Sequence, residues 1–560
     1  MTLSQCRTCK NDFQISDQEI VLLKQMSLKV GANSIEIPTP TTCPQCRQRQ
    51  RLAFRNERSL YHRVCDSTSE KIISVISPDK KYKAYKADAW WGDSWDPETY
   101  AKTYNKDQSF FEQLGNLRLE VPISALKLTQ CENSDYNHNL DNSRNCYLTF
   151  SSSNCEDTYY SSGSINLKDC IDVWWSNTVE LSSNIFCSKD LFNCLYCDRV
   201  GNSDNLIFCR DCFGCSNCFG CSNLVNKEYH IFNVPYDKVE YLQTIESFNR
   251  GSDKQIQKLK KQVEEFFLSQ PYEATSTDFV ENSSGDNVYD CRDSHNCFAT
   301  VGSENCAYTY ESGRNVNCLD LDNCYENTGN LYNSINSSNN FNCAFLIDSH
   351  NSSDSYYLIE CHNLSNCFGC VGLRNKEFCV LNRQYSKDDY QRLVPIIIKI
   401  MKQNNEWGQF FIPAISPYGY NETEANAHFP LQEAKAIHLG FNWSKYAKPK
   451  PDISKAINAN ELPDHIDDAS DEILKSVILC EVTGEPYRIT SAELKFYKRL
   501  QIPLPRRHPD RRYQDLIEKR NPRRLWDRQC QNCKLAVPST YSPERKEIIF
   551  CKECYRGEYN

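Results

Sequence analysis

The sequence predicts a protein that is mainly β with some α-helix: tandem cysteine- and asparagine-rich β-solenoid segments with helical caps, flanked by two homologous modules. Three observations predict this architecture. The two ends of the chain are copies of each other, the middle is duplicated as well, and the 32 cysteines follow different patterns in these two regions. Internal repeats are decisive in such a chain, because each repeat folds as one structural unit.

The first and last regions of the chain align as one module used twice. Residues 37–65 match residues 502–530 at a constant offset of 465, and the match continues without a gap to residues 77–79 and 542–544. Upstream, the first copy contains an extra loop. The matching positions there are Cys6, Phe13, Ile15 and Glu19 in the first copy and Cys480, Tyr487, Ile489 and Glu493 in the second. A single ancestral module therefore accounts for both ends.

Paired cysteines mark one site in each module. The first module has two CxxC motifs separated by 33 residues, and the second has two separated by 17 residues. These cysteines are Cys6, Cys9, Cys43 and Cys46 in the first module, and Cys530, Cys533, Cys551 and Cys554 in the second. Each set aligns with a set in the other module that has lost most of its cysteines. The lost sets are Cys480, Thr483, His508 and Arg511, and Cys65, Thr68, Lys86 and Ala89. Each module therefore keeps one of two ancestral sites.

Two pairs of CxxC cysteines supply the four thiolates of a tetrahedral metal site. A shell closed by four protein ligands is typical of structural zinc, and the 17-residue separation falls in the range of zinc ribbons. The sequence thus predicts two structural Zn²⁺ ions per chain. Iron in a rubredoxin-like site is the alternative metal, and free surface thiols are the alternative without a metal.

An arginine-rich segment follows the second CxxC motif of the first module. Arg47, Arg51, Arg55 and Arg58 lie on one face of a predicted helix, and the second module keeps Arg512, Arg520 and Arg523 but has Leu516 in place of Arg51. Arginine stripes beside zinc sites commonly bind phosphates, which predicts RNA, DNA or a ribonucleoprotein as partner. The alternative is that these arginines pair with acidic residues of the same protein.

The distribution of charge is compatible with both interpretations. Residues 1–91 carry a net charge of +6 and residues 480–560 a net charge of +7, so the middle carries −22 in a chain of net charge −9. A basic end region can attract a polyanion. The acidic middle can equally attract the basic ends.

The middle of the chain is a second repeat. Residues 143–163 match residues 294–314 at an offset of 151, and residues 217–241 match residues 366–390 at an offset of 149. Cysteines in the first copy are separated by multiples of three, and Cys187 departs from this register. In the second copy, the cysteines from Cys291 to Cys324 share one register and those from Cys343 to Cys379 share another.

A short β-solenoid explains this pattern. Asn, Ser, Asp and Gly are poor helix formers, but they suit tight corners, and cysteine acts as a small apolar side chain inside. Separations of 6, 9, 12 and 15 residues do not settle the length of one coil. An irregular cysteine-rich fold is the alternative.

The run from Cys209 to Cys221 has a cysteine at every third residue, as some iron–sulfur proteins do. The same register continues outside the run and no Cys-Pro follows, so inward-stacked cysteines are the favoured interpretation.

These observations divide the chain into consecutive segments. Apolar stripes after each solenoid, such as Ile256, Leu259 and Val263, predict the helical caps. We predict an N-terminal zinc module (1–91), a connector (92–127), a first β-solenoid segment (128–235), a helical cap and linker (236–285), a second β-solenoid segment (286–385), a helical cap (386–403), an extended connector (404–479) and a C-terminal zinc-ribbon module (480–560).

Composition and the N-terminus favour a cytoplasmic protein without a membrane segment. No signal-peptide pattern precedes Cys6, and the apolar stretch around residues 396–398 is too short to span a bilayer. In a reducing cytosol the cysteines are thiols or zinc thiolates, and disulfides are the alternative.

Several motifs together identify a resemblance. The CPQCR motif, FRNERSLYHRVCD, the WWGDSWDP segment of residues 90–97, the NCFGC solenoid ends and LPRRHPD with RNPRRLWDRQC resemble the large cysteine-rich zinc-ribbon proteins of candidate-phyla bacteria. The resemblance covers essentially the whole chain and implies zinc binding but no activity. Some members circulate under a CoA-transferase label, which no motif here supports. Many keep a CPxCR motif where this chain has residues 508–511.

No motif of a known enzyme class is present, including HExxH, GxSxG and Walker A. The sequence therefore predicts a zinc-binding, non-enzymatic scaffold whose basic ends bind nucleic acid or a ribonucleoprotein. One alternative is an enzyme that uses a solenoid groove lined by acidic residues for carbohydrate, thiol or metal chemistry. Its candidate residues are Asp135, Asp141, Asp157, Asp169 and Asp172. The other alternative is a pure protein-interaction scaffold.

Overall fold

The computed structural model describes residues 2–31, 33–324, 332, 334, 335 and 344–559. It has mixed α/β character with many strands, and it contains a four-cysteine cluster in each terminal module. That part of the predicted fold class is confirmed. None of the helices in the described ranges is long and apolar enough to cross a lipid bilayer.

The chain forms two compact units that do not follow its linear order. The first comprises Met1–Leu126, Thr275–Tyr446 and Arg523–Leu525, and the second comprises Lys127–Ala274, Ala447–Pro522 and Trp526–Asn560. Each unit thus combines a terminal module with a duplicated middle region from the other half of the chain. The segments predicted from the sequence follow one another along the chain, whereas each unit joins segments that are far apart in the chain.

The N-terminal region consists of three short antiparallel hairpins, one parallel strand pair and four helices. Its strands are β1 (Thr2–Gln5), β2 (Asp12–Ile15), β3 (Leu28–Val30), β4 (Asn33–Ile35), β5 (Tyr61–Val64), β6 (Lys71–Ser74), β7 (Ala84–Tyr85) and β8 (Ile123–Ser124). Its helices are α1 (Asp17–Gln25), α2 (Pro44–Leu52), α3 (Ala87–Trp91) and α4 (Phe110–Glu120), with a 3-10 helix at Pro97–Tyr100. Helix α1 begins with a capping box between Ser16 and Glu19, and α2 begins with Pro44 directly after Cys43.

Residues 128–231 form a parallel ladder, named here the first ladder. Its strands are β9 (Leu128–Thr129), β10 (His138–Asp141), β11 (Phe150–Ser153), β12 (Glu156–Tyr159), β13 (Ile165–Trp174), β14 (Asn177–Phe186), β15 (Lys189–Phe192), β16 (Gly201–Ile207), β17 (Ser216–Phe219) and β18 (Glu228–Ile231), and β19 (Val234–Pro235) ends it in an antiparallel pair. Successive strands pair with a constant offset of twelve residues, as in Ile165 with Asn177 and Asn177 with Lys189.

A repeat of three residues explains the register of the cysteines. Every third residue in long stretches of the ladder has a positive φ, such as Asn154 (φ 54°) and Asp157 (φ 49°). The next residue points inside: Cys155 and Thr158 are buried. Asparagine tolerates the left-handed conformation and cysteine fills a small apolar space, which accounts for the many Asn-Cys pairs. Cys187 itself has a positive φ of 48°, so it occupies the corner position and departs from the register.

Two helices and a short strand follow the first ladder: α5 (Lys238–Ser247), α6 (Asp253–Leu268) and β20 (Pro271–Glu273). Ile256, Leu259 and Val263 of α6 are buried in one cluster with Ile207 and Phe219 of the ladder. This packing covers the apolar end of the last coils.

Residues 277–380 contain the second ladder. Its strands are β21 (Thr277–Asp278), β22 (Gly285–Tyr289), β23 (Cys297–Val301), β24 (Ala307–Gly313), β25 (Leu319–Asp322) and β26 (Cys379–Val380), followed by β27 (Arg383–Gln384). Leu319 pairs with Tyr332 and Asp322 with Ile335, so these pairs have an offset of thirteen residues, one more than the twelve of the neighbouring pairs. This extra residue explains the shift of the cysteine register in the second copy. Cys343 lies outside the described residues.

Helix α7 (Lys387–Gln403) follows the second ladder, and its residues Val394, Ile397 and Met401 are buried against it. The predicted extended connector then contains regular structure. It has helices α8 (Glu424–His428) and α9 (Glu433–His438), and 3-10 helices at Pro413–Ile415, Tyr420–Glu422, Ala459–Glu461, Ile466–Asp468 and Asp471–Lys475. Tyr420 and Phe441 of this segment pack against Leu52 of the N-terminal module.

The C-terminal module repeats the local plan of the first. It contains β28 (Ile457–Asn458), β29 (Ile478–Leu479), β30 (Pro486–Tyr487), α10 (Ser491–Leu500), α11 (Pro509–Ile517), β31 (Trp526–Gln529), β32 (Ala536–Ser539), β33 (Ile548–Phe550) and α12 (Lys552–Tyr559). Helix α10 begins with a capping box between Thr490 and Glu493, and α11 begins with Pro509. Both features have counterparts at α1 and α2, as the sequence repeat predicts.

Candidate metal centres and the arginine contacts of the modules

The first cysteine pair is held by a tight backbone turn. The amide of Cys6 donates to the carbonyl of Asn11 (2.9 Å), and the amide of Lys10 donates to the carbonyl of Cys6 (2.9 Å). Lys10 takes a positive φ of 65°, which closes the turn. The amide of Cys9 points at the sulfur of Cys6 (3.5 Å), and the amide of Cys43 does the same (3.3 Å). These donors stabilise negative charge on the Cys6 sulfur.

The four cysteines of the N-terminal module converge. The sulfurs of Cys6, Cys9, Cys43 and Cys46 all lie within 4.8 Å of one another, and those of Cys9 and Cys43 are 3.7 Å apart. Zinc bound by four thiolates at about 2.3 Å requires sulfur–sulfur distances of about 3.8 Å. The geometry therefore fits a tetrahedral metal ion.

The C-terminal module builds a matching cluster. The sulfurs of Cys530, Cys533, Cys551 and Cys554 also lie within 4.8 Å of one another, with 3.7 Å between Cys533 and Cys551. The same turn holds the first pair: the Cys530 amide donates to the Leu535 carbonyl (2.8 Å), and Lys534 has a φ of 65°. Strand β33 ends at Phe550, directly before Cys551.

Local hydrogen bonds favour ionised sulfur in both clusters. The hydrogen bond from Cys46, aided by a backbone amide and against the effect of burial, lowers the pKa of Cys43 to about 5. Burial raises the pKa of Cys530, but the backbone amides of Cys551, Cys533 and Asn532 lower it to about 6. The thiolate is the form of cysteine that binds metal, so these two sulfurs are suited to a cation. The hydrogen bond with Cys43 raises the pKa of Cys46, so the thiols within one cluster do not all shift in the same direction.

Two further turns preserve the shape of the lost metal sites. The Cys65 amide donates to Glu70 (2.8 Å) and the Ser69 amide donates back to Cys65 (3.0 Å); Cys480 makes the same pair of bonds with Glu485 (3.0 Å) and Gly484 (2.9 Å). Ser69 and Gly484 have positive φ values of 61° and 67°, as Lys10 and Lys534 do. This agreement supports the sequence alignment, in which each module has one complete and one degenerate site.

The ladder cysteines have a different environment. Every cysteine from Cys209 to Cys221 in the three-residue register is fully buried. The Cys209 thiol lies 3.5 Å from the carbonyls of Ile207 and Cys218, to which it can donate. Within the described part of the chain, the groups able to hold a metal are the two terminal clusters, and this run is not among them. The interpretation as inward-stacked thiols agrees with this placement.

The arginines of the N-terminal module contact carboxylates of the second ladder. Arg47 is 3% exposed and forms two hydrogen bonds to Asp320, one of them 3.1 Å long, while its third nitrogen donates to the carbonyl of Thr42 (2.8 Å). Arg51 is fully buried and donates to Asp322 (2.6 Å). Burial lowers the pKa of Arg51, and the nearby aspartates raise it above its ordinary value, so the side chain stays charged.

Other arginines of the predicted stripes are also occupied within their own unit. Arg55 is buried and paired with Glu57, and Arg58 is half-buried. Arg523 pairs with Glu311, and the Arg520 guanidinium lies 5.0 Å from the ring centre of Trp174.

The C-terminal module repeats the contact of Arg47. Its counterpart Arg512 is buried, lies 3.1 Å from the carboxylate of Asp172, and packs over the Tyr160 ring at 4.8 Å. The Tyr160 hydroxyl donates to Glu493 (2.9 Å), the capping residue of α10.

The two contacts have equivalent members, which we name the clamps. The first clamp is Arg47, Asp320, Glu19 and Tyr308, and the second clamp is Arg512, Asp172, Glu493 and Tyr160. The ladder members of the two clamps are related by an offset of 148, three residues less than the offset of 151 found by matching the sequences. The three-residue repeat allows such a slip, because it leaves the inward positions unchanged.

These contacts correct the role predicted for the arginines. A nucleic-acid-binding stripe needs guanidinium groups that reach solvent, whereas Arg47, Arg51, Arg55 and Arg512 are buried. Their partners are carboxylates or ring faces of the same unit. The alternative interpretation, in which the modules pair with acidic residues of the protein itself, describes what these side chains do.

Three of the five aspartates proposed for a catalytic groove share one backbone conformation. Asp157, Asp169 and Asp172 have positive φ and occupy corners of the ladder, and Asp172 is used in the second clamp. Sequence reasoning missed the clamp residues Asp320 and Tyr308. The available signal was the recurrence of a tyrosine and an aspartate twelve residues apart in both copies.

Comparison with known proteins adds no family to these observations: neither the protein-family models nor the curated proteins give a match.

Proposed function

We propose that this protein is a scaffold in which one structural zinc ion stabilises each terminal module and buried clamps fix each module to a β-solenoid. The scaffold has no catalytic role in this proposal. The observation that carries it is the convergence of four cysteine sulfurs within 4.8 Å in each module, with one sulfur–sulfur distance of 3.7 Å in each cluster, where a tetrahedral metal ion requires about 3.8 Å.

Three features support a structural rather than a catalytic metal. Each cluster supplies four thiolates, which closes the coordination shell and leaves no position for water or substrate. Cys6 and Cys530 are fully buried. Their turns are shared by both modules, so the metal replaces a hydrophobic core in regions that consist of short hairpins.

The two ladders support the solenoid part of the proposal. Twelve-residue coils made of four three-residue sides would stack cysteine, serine and threonine inside and asparagine at the corners. Asparagine side chains at successive corners hydrogen-bond along the stack, as Asn142 does to Asn154 (2.7 Å) and Asn154 to Asn166 (3.0 Å). A stack of this kind would be a rigid support for the module that packs against it in the same unit.

The cellular setting belongs to the same proposal. None of the cysteines in the described ranges forms a disulfide, and a reducing cytoplasm would keep them reduced. Zinc binding also agrees with the resemblance to the cysteine-rich zinc-ribbon proteins of candidate-phyla bacteria. Binding of RNA, DNA or a ribonucleoprotein would have to use groups other than the buried arginines.

Metal analysis tests the proposal directly. Protein purified without added metal should contain about two zinc ions per chain, each with four sulfur neighbours at about 2.3 Å by X-ray absorption spectroscopy. Cys533→Ala should lower the content by one ion and unfold the C-terminal module, because thiolate–zinc bonds contribute folding free energy. Hydrogen exchange measured by mass spectrometry shows which segments of the chain unfold.

Cys65→Ala provides the matched control. It removes a buried cysteine from a turn of the same shape but from a site that has lost its other ligands, so both zinc ions should stay bound. Equal metal loss in the two variants would show that the assignment of complete and degenerate sites is wrong. Iron in the purified protein, or no metal, would contradict the assignment of zinc.

A further inference from the structure

The WWGDSWDP segment lines a cavity that neither the metal clusters nor the clamps use. Helix α3 ends at Trp91, and the residues after it face the second ladder within the same unit. The cavity has a volume of about 500 Å³. Its lining includes Trp91, Trp95, Asp93, Asp96, Asn363 and Asn375. A concave site that combines aromatic surface with a few polar groups is the usual form of a ligand site.

Trp91 supplies an open aromatic surface at this cavity. Its side chain is 54% exposed, although Trp90 beside it is buried. Arg374 donates to the carbonyls of both tryptophans, and its guanidinium lies 4.1 Å from the ring centre of Trp90 and 4.8 Å from that of Trp91. The His362 ring lies 4.7 Å from Trp91. The indole is therefore fixed in place while much of it remains accessible.

The polar groups around Trp91 offer both donors and acceptors. Asp93 and Asp96 supply carboxylate oxygens, and the stacked amides of Asn363 and Asn375, linked by a hydrogen bond of 2.9 Å, can donate and accept. Arg374 and His362 belong to the same lining. A ligand that matches this set presents several hydroxyl groups next to an apolar face.

Charge narrows the class of ligand. A quaternary ammonium ion is bound by a cage of several aromatic faces, but the Arg374 guanidinium already packs on Trp90, Trp91 and Trp95, and Trp90 is buried, so the exposed part of Trp91 is the open surface that these two neighbouring indoles offer. An anionic ligand would meet the carboxylates of Asp93 and Asp96. A neutral sugar avoids both conflicts, because its C–H face packs on an indole and its hydroxyls bond to carboxylates and amides.

We propose that this cavity is a binding site for a neutral oligosaccharide, with Trp91 as the stacking platform and Asp93 and Asp96 as acceptors for sugar hydroxyls. The site lies within one unit, and its lining contains none of the proposed metal ligands. It adds a binding function to the scaffold.

Isothermal titration calorimetry with the full chain tests this site. The probes are cellotetraose, mannotetraose and chitotetraose, with tetragalacturonate as an anionic comparison and tetramethylammonium chloride as a cationic one. At least one neutral tetrasaccharide should bind saturably. Trp91→Ala should weaken that binding about tenfold or more, because it removes the stacking surface. Asp93→Asn should weaken it too while leaving the tryptophans in place.

Phe279→Ala is the matched control, because Phe279 is an exposed aromatic residue (76%) of the same unit outside the cavity lining. Its binding should equal that of the parent. The proposal is overturned if no neutral tetrasaccharide binds, if tetragalacturonate or tetramethylammonium binds in preference, or if binding survives in both Trp91→Ala and Asp93→Asn. Circular dichroism of each variant establishes that it is folded.

Discussion

Replacing Arg47 with methionine should destabilise the first unit strongly, because it breaks the first clamp on one side only. Methionine keeps most of the length of the side chain and removes its charge. The substitution leaves Asp320, which is fully buried, without the two hydrogen bonds that Arg47 donates to it. It also removes the nearby cation 3.6 Å from Glu19.

The size of the effect follows from this burial. Removing one partner of a buried ion pair leaves an uncompensated charge, which typically costs about 3–5 kcal/mol. Asp320→Asn removes the charge from the other side and keeps the shape of a corner residue with positive φ. Because the two sites share one contact, the double variant should cost about 1–3 kcal/mol less than the sum of the single variants.

Urea unfolding followed by hydrogen exchange measures this effect and assigns it to the first unit. Arg7→Met is the control, because Arg7 is an exposed arginine of the same module. Its free energy of unfolding should stay within about 0.5 kcal/mol of the parent. A similarly small change for Arg47→Met would refute the clamp.

The same variant separates the clamp from a phosphate contact. Electrophoretic mobility shifts with total RNA and genomic DNA, at two salt concentrations, complete the experiment. A fall in RNA or DNA binding by Arg47→Met without any loss of stability would show that Arg47 contacts phosphate. The buried ion pair predicts that Arg47→Met lowers the stability of the first unit and leaves RNA and DNA binding by the folded protein unchanged.

Three further predictions concern the second clamp and the ladders. Arg512→Met should destabilise the second unit by about 3–5 kcal/mol, because it leaves Asp172 buried without its partner; hydrogen exchange confined to the first unit would contradict this. Burial raises the pKa of the Cys170 thiol from 9.0 to about 12. Because the folded protein keeps this thiol protonated, the contribution of Cys170 to the free energy of unfolding is present at pH 8 and falls as the pH rises above 9, by about 1.4 kcal/mol per pH unit. Urea unfolding at pH 8 and pH 10 should show this loss, and Cys170→Ala should reduce the slope; equal slopes would refute it. Asn154→Ala should cost about 1–2 kcal/mol more than Asn154→Gly, since φ is 54° there, and equal costs in urea unfolding would contradict the corner assignment.

Features that depend on residues close together in the chain could be predicted from the sequence alone. A CxxC pair closes its turn within six residues, so its spacing alone predicts the four-cysteine sets that the structure brings together at both ends. The internal repeat likewise identified Cys65 and Cys480 as remnants of lost sites, and both still occupy turns of the same shape. The register of three residues is local too, because the backbone conformation with positive φ recurs at every third residue.

The offset between paired strands is not a local property. Separations of 6, 9, 12 and 15 residues are all compatible with a three-residue repeat, and only the pairing of Ile165 with Asn177, and of its neighbours, sets the twelve-residue offset. Backbone hydrogen bonds between the strands determine this pairing. They leave little trace in composition, since every inward position accepts a small side chain.

The partners of the arginines could not be predicted from the sequence, because they depend on the tertiary structure. A helical stripe of arginines has the same sequence pattern whether it faces phosphate or carboxylate. Arg47 meets Asp320, which lies 273 residues away, because the N-terminal module packs in one unit with the second ladder rather than with the ladder that follows it in the chain. Burial in that contact turns a surface charge into a structural ion pair, and the physical reason is desolvation: a guanidinium enclosed with two carboxylates has neither the exposure nor the free donors to bind a polyanion.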